Sequence, residues 1–240
     1  MSERISKNKG KISLIISAFV YGLAPILAKV TYEGGTNGIT LTFLRAFLTV
    51  PLLFVIMTVN HRSMRLTKKE FYAILKLGIF GGAMPILLLY ASYNHISAGL
   101  ATTLHFVYPL IIVLVSAVVY HEKMNKVTIL AAILVTIGIF LFVDINTSAD
   151  KIGVTLALLS GIFYSFYVIY IDKSGLDSMD YLKLTFYMMI IMSASALIYG
   201  LIVGGISFDM TPKAWTCAVI ISLLITLLAM PLFQVGVRME

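Results

Sequence analysis

His105 and Arg45 are ionisable side chains that fall inside long apolar stretches of this chain. An imidazole offers one donor and one acceptor, and unperturbed it titrates near pH ~6.5. His105 stands one helical turn before Tyr108-Pro109. It suits either contact with a polar solute or a hydrogen bond to a neighbouring helix. Protonation there would modulate whatever it contacts. Arg45 carries a fixed positive charge that attracts anionic groups such as carboxylates. In lipid it must snorkel to the interface or face a wet cavity. Tyr21, Tyr90, Tyr108 and Tyr164 lie near the middle of apolar stretches and could line a path for apolar or aromatic solutes. Gln234 falls near the place in the second half that Tyr90 holds in the first, and offers both donor and acceptor. Each of these side chains also fits plain helix packing.

Other chemistries lack their residues. All eleven Asp and Glu lie in loops or at the ends of apolar stretches. The apolar interior therefore holds no carboxylate for a proton relay, a buried cation cage or an aspartyl protease. His61, His95, His105 and His121 are scattered without metal-ligand spacing. Cys217 is the sole cysteine, so neither an internal disulfide nor a cysteine metal site is expected. No catalytic residue, metal or cofactor is expected.

The elements that must position these residues are membrane helices. Of 240 residues, 60% are hydrophobic and 12% are charged, against ~25% charged in a soluble domain. The mean hydropathy of +0.97 makes lipid the solvent for much of the chain. Eight stretches approach the ~20 residues a span needs. They run over 12–30, 38–59, 71–92, 97–120, 126–143, 153–171, 182–203 and 214–237. Each must be helical, because a lone strand would leave its backbone unpaired in hydrocarbon. The ~10-residue alternation of a barrel strand is missing. Pro25, Pro51, Pro85, Pro109 and Pro231 bend these helices, and Gly78-x-x-x-Gly82 and Gly200-x-x-x-Gly204 permit close helix approach, within one chain or in a homodimer.

Charge sets the orientation. With the N-terminus in the cytoplasm, 14 of the 18 Lys and Arg lie inside. Only Lys29, Arg45, Lys151 and Lys213 lie in the outer half. The net charge of +7 thus reflects cytoplasmic loops facing anionic headgroups, and no nucleic-acid partner is expected.

A shift of 143 positions lays Gly10 on Gly153, Ser17 on Ser160, Tyr21 on Tyr164 and Leu41-Thr42-Phe43 on Leu184-Thr185-Phe186. The unit holds five spans, an odd number, so the second copy enters the bilayer inverted. Inverted repeats of this sort place a solute site near the midplane, between the copies. The first repeat occupies 1–150 and the second 151–240. Glu240 falls near the equivalent of Ser97, so the repeat expects two further helices, ten in all. The expected fold is all-α and integral to the membrane.

Three stretches carry a resemblance to the EamA-type members of the drug/metabolite transporter superfamily. They are Ser17-Ala18-Phe19-Val20-Tyr21-Gly22 with Pro25; Phe43-Leu44-Arg45-Ala46; and Ala98-Gly99-Leu100-Ala101 leading through Tyr108-Pro109 to His121-Glu122. Gly153-Val154-Thr155-Leu156-Ala157-Leu158-Leu159-Ser160-Gly161 reopens the second copy in the same manner. The resemblance implies ten helices with both termini inside, a cavity-facing Arg45, and export or exchange of a small organic solute. It also places the chain in a bacterial plasma membrane. A lipid-modifying enzyme and a channel-like or scaffold protein are the alternative readings. The position of Glu122 suggests a structural ion pair.

Overall fold

A computed structural model describes residues 2–122, 125–142, 150–230 and 232. Eight helices follow one another, and no strand occurs among the described residues. We label them α1 (Gly10–Glu33), α2 (Gly38–Val59), α3 (Lys68–Ser92), α4 (Ala98–Val118), α5 (Lys126–Phe142), α6 (Lys151–Ser174), α7 (Tyr181–Val203) and α8 (Pro212–Ala229). All except α5 are long and apolar enough to cross a bilayer. The described part of α5 has 17 residues, about 25 Å at 1.5 Å per residue, against the ~30 Å hydrocarbon core. Large apolar side chains such as Phe19, Ile15, Val118 and Ile202 point outward, as a lipid-facing surface requires.

The helix ends are capped by side chains that the sequence supplies locally. The Asn37 carboxamide oxygen accepts from the N–H groups of Ile39 and Thr40 to start α2. Asp180 does the same for Leu182 and Lys183 at the start of α7. Thr67 and Glu70 form a capping box on α3, and Thr211 caps α8. Left-handed residues then stop α2 and α7: His61 at φ 50° and Gly204 at φ 64°.

These ends repeat. Asn37 and Asp180 are 143 positions apart, as are His61 and Gly204, so α2 and α7 are built to one plan. Helices α3 and α8 share a rarer feature. Each widens into π-helical turns, Leu77–Ala83 and Leu224–Ala229. Both lead into the sequence Ala-Met-Pro, at Ala83-Met84-Pro85 and Ala229-Met230-Pro231. A proline removes the donor for the carbonyl four residues back, and a widened turn before it relieves the resulting crowding. Here the register has slipped to 146, which brings Gln234 level with Leu88 instead of Tyr90.

Two compact units result, and they do not follow the boundary between the repeats. The first takes residues 1–65 and 179–240, the second 66–178. In the first unit α2 packs on α7 and α1 on α8. The Ser17 hydroxyl donates to the Ala229 carbonyl at 2.9 Å, joining α1 to the π turn of α8. Asn37 Nδ2 donates to the Gly205 carbonyl at 2.7 Å, and Arg62 pairs with Asp180 at 3.0 Å. Gly200 lies against Ile39 and Ile206, whereas a Cβ on Gly204 would meet nothing within 4 Å. In the second unit α6 packs against both α3 and α4. Gly81, in the π turn of α3, approaches Tyr167 so closely that a Cβ there would sit 3.0 Å from the Tyr167 Cα.

Candidate functional site

Helix α4 is broken in the middle. Pro109 has no N–H to give the His105 carbonyl four residues earlier. The chain runs helical through Ala98–His105, turns at Phe106-Val107, and resumes at Tyr108–Val118. Phe106 and Val107 donate backward to Thr102, Thr103 and Leu104, which closes the first half of the helix. The break meets Gly161 of α6, the residue whose missing side chain makes room for the His105 carbonyl.

His105 is buried, 8% exposed. Its Nδ1 lies 2.8 Å from the Ser160 hydroxyl on α6. Ser160 donates its one proton to the Ala157 carbonyl at 2.6 Å. Hydrogen-bond accounting then makes Nδ1–H the donor to Ser160 and leaves Nε2 as an acceptor in the neutral ring. Tyr164 and Tyr108 flank the imidazole, with ring centroids at 5.2 and 5.6 Å. They meet each other edge to face at 4.7 Å, and Tyr164 stacks on Tyr167 at 5.4 Å. The result is a packed aromatic cluster around one imidazole.

Three of the expected site residues, His105, Tyr108 and Tyr164, are thus brought together. Tyr90 is buried on α3 of the same unit, its ring 5.7 Å from that of Tyr93. Tyr93 in turn reaches the Thr102 hydroxyl of α4 at 3.3 Å. Arg45 and Tyr21 belong to the other unit. Tyr21 is partly exposed on α1. Arg45 is 9% exposed within α2, and its Nε has no hydrogen-bond partner. Lys29, on α1, is exposed. Gln234 lies outside the described residues. Ser160 and Tyr167 were not among the expected site residues, yet spacing marks them. Ser160 precedes Tyr164 by four and Tyr167 follows it by three, which sets all three on one face of α6.

Two polar clusters lie outside the spans. His95 pairs with Asp150 at 2.7 Å. That hydrogen bond, with a second from the Ile152 N–H, holds the Asp150 carboxyl below its ordinary value. Glu122 pairs with Lys173, which also reaches Asp172. Hydrogen bonds from Lys173 and Ser116 hold Glu122 below its ordinary value as well. Its place beside a basic residue is that of a structural ion pair.

No curated protein matches the chain. A solved crystal structure of 16% identity aligns with a TM-score of 0.69, covering 96% of this chain and 79% of that one, and shares its fold. The EamA-like transporter family matches residues 8–144 and 151–239. With seven apolar helices of spanning length and that match over nearly its whole length, the chain belongs to the EamA-like transporter family.

Proposed function

We propose that this protein moves a small organic solute across a bacterial plasma membrane, by export or exchange, through alternating access of its inverted repeats. The observation that carries the reading is the break in α4. Interrupted membrane helices are tolerated where protein or a wet cavity satisfies the freed backbone, and transporters build their solute sites there. Here the break carries a hydrogen-bonded imidazole and two tyrosines at that point. His105 would accept a hydrogen bond from the solute, with Tyr108 and Tyr164 supplying contact area. The distribution of Lys and Arg supports a cytoplasmic N-terminus.

The test is flux through the purified full chain in proteoliposomes, loaded with a panel of metabolites and assayed for uptake and efflux. Saturable flux above protein-free vesicles is expected, falling at least tenfold in His105→Ala. Flux no greater than that of empty vesicles, for every solute, sinks the reading.

A further inference from the structure

Arg45 is a buried cation without a visible counter-ion. It lies seven positions after Gly38, roughly 10 Å along the axis of α2 at 1.5 Å per residue. Only 9% of it is exposed, and its Nε–H has no partner. Among the described residues no carboxylate pairs with it, and the ion pair of its compact unit is Arg62 with Asp180. Glu33, the last residue of α1, and Asp209, in the loop before α8, both lie exposed. The remaining accounts of a membrane arginine therefore fail here. A snorkelling arginine keeps its head exposed, as Lys29 does. A structural arginine holds carbonyls or carboxylates, and no hydrogen bond from the Arg45 guanidinium to a described residue exists. Pro51 interrupts α2 at Leu48-Thr49 and leaves the Phe47 carbonyl without its usual helical donor, yet that carbonyl is not bonded to Arg45 either.

A guanidinium keeps its charge in proteins, and an uncompensated buried charge destabilises the fold. The natural compensation is an anion that comes and goes. We propose that Arg45 anchors an oxyanion of the transported solute, a carboxylate or a phosphate, through its guanidinium. The planar fork of arginine matches both groups with two parallel hydrogen bonds. This deepens the transport reading and rests on it for the solute's passage, but not for its binding.

Melting of the full chain in nanodiscs tests the assignment. The probes are benzoate against benzamide and glycerol 3-phosphate against glycerol. At least one charged member should raise the melting temperature, and its neutral partner should not; which pair responds separates carboxylate from phosphate. Arg45→Met should melt higher than the parent without probe, because a lone buried charge has gone, and should lose the response to the anion. Arg45→Lys should keep a response with affinity at least tenfold weaker. The assignment is overturned if no charged probe shifts the parent, if Arg45→Met responds equally, or if Arg45→Met melts lower than the parent, as loss of a structural ion pair would cause. Flux read in parallel separates the two readings. Neutral solutes moved at an undiminished rate by Arg45→Met would leave a transporter without this site. An Arg45-dependent shift without flux would leave the site without transport.

Discussion

The carbonyl oxygen of His105 lies 2.7 Å from the point where a Cβ on Gly161 would sit. No side chain fits between them, and the Val107 Cγ1 is equally near that point. That carbonyl is the one Pro109 leaves without a helical donor. Gly161 is therefore the residue that lets α6 rest on the break in α4, and so places Ser160 under the imidazole.

Gly161→Ala should destabilise the protein by about 1–3 kcal/mol, the usual range for overpacking. It should also reduce flux, because the shift of α6 moves Ser160 and Tyr164 together. Gly22→Ala is the control: a Cβ there meets nothing within 4 Å. Thermal melting in nanodiscs should separate the two, with Gly22→Ala unchanged or slightly raised. Equal melting temperatures would show that the close approach is not real.

Ser160→Ala should remove about 1 kcal/mol of stability and, on the proposed role of His105, raise KM more than it lowers kcat, since the serine orients the ring. His105→Gln should change rate or pH profile or both. A double-mutant cycle between the two positions should give coupling, with the pair scarcely worse than His105→Gln alone. Additive effects would separate the serine from the histidine.

Asp150 yields a pH prediction with a definite sign. Its carboxyl is held below the ordinary 3.8 by His95 and by the N–H of Ile152, so folding favours the ionised form. That contribution is present above 3.8 and fades as the pH falls through the lower folded value. In Asp150→Asn, melting temperature measured from pH 7 down to 3 should decline less steeply at the acid end than in the parent. Parallel curves for the two proteins would show that the pair contributes nothing to folding.

Glu122→Gln should leave flux intact. The carboxylate bonds Lys173 at the membrane surface, and an exposed pair of this type contributes little. A loss of transport rate at unchanged melting temperature would give Glu122 a direct part in the transport cycle.

Much of this architecture was legible in the sequence because lipid imposes strict rules. Apolar length marks the spans, since hydrocarbon permits no other solution than helices. Pro109 marks the break in α4 because no proline N–H exists to continue the ladder. The spacing of three between His105 and Tyr108 places them on neighbouring faces of one turn. The pairing of His105 with Ser160 was not legible. The two lie 55 positions apart on different helices, and their meeting depends on Gly161. Arg45 shows the same limit from the other side. Its charge and depth were plain, but lipid and protein surroundings look alike from sequence, and its burial emerges only from the packing of the helices. The π turns were hidden for another reason: three extra positions, one in the loop before α8 and two within the helix, move Ala229-Met230-Pro231 out of the 143 register.

The interleaving of the two compact units bears on how the chain is made. Helices α1 and α2 emerge from the ribosome first, yet the surfaces they pack against belong to α7 and α8. The intervening residues 66–178 must be synthesised before those partners exist. At ~5–20 residues per second that wait is on the order of ten seconds. During it Arg45 and the small-residue faces of α2 stand in the membrane without their protein neighbours. Expression of residues 1–150 and 151–240 as separate chains should thus yield two insertion-competent but unassembled products, each exposed to quality-control proteolysis, unless both are made together.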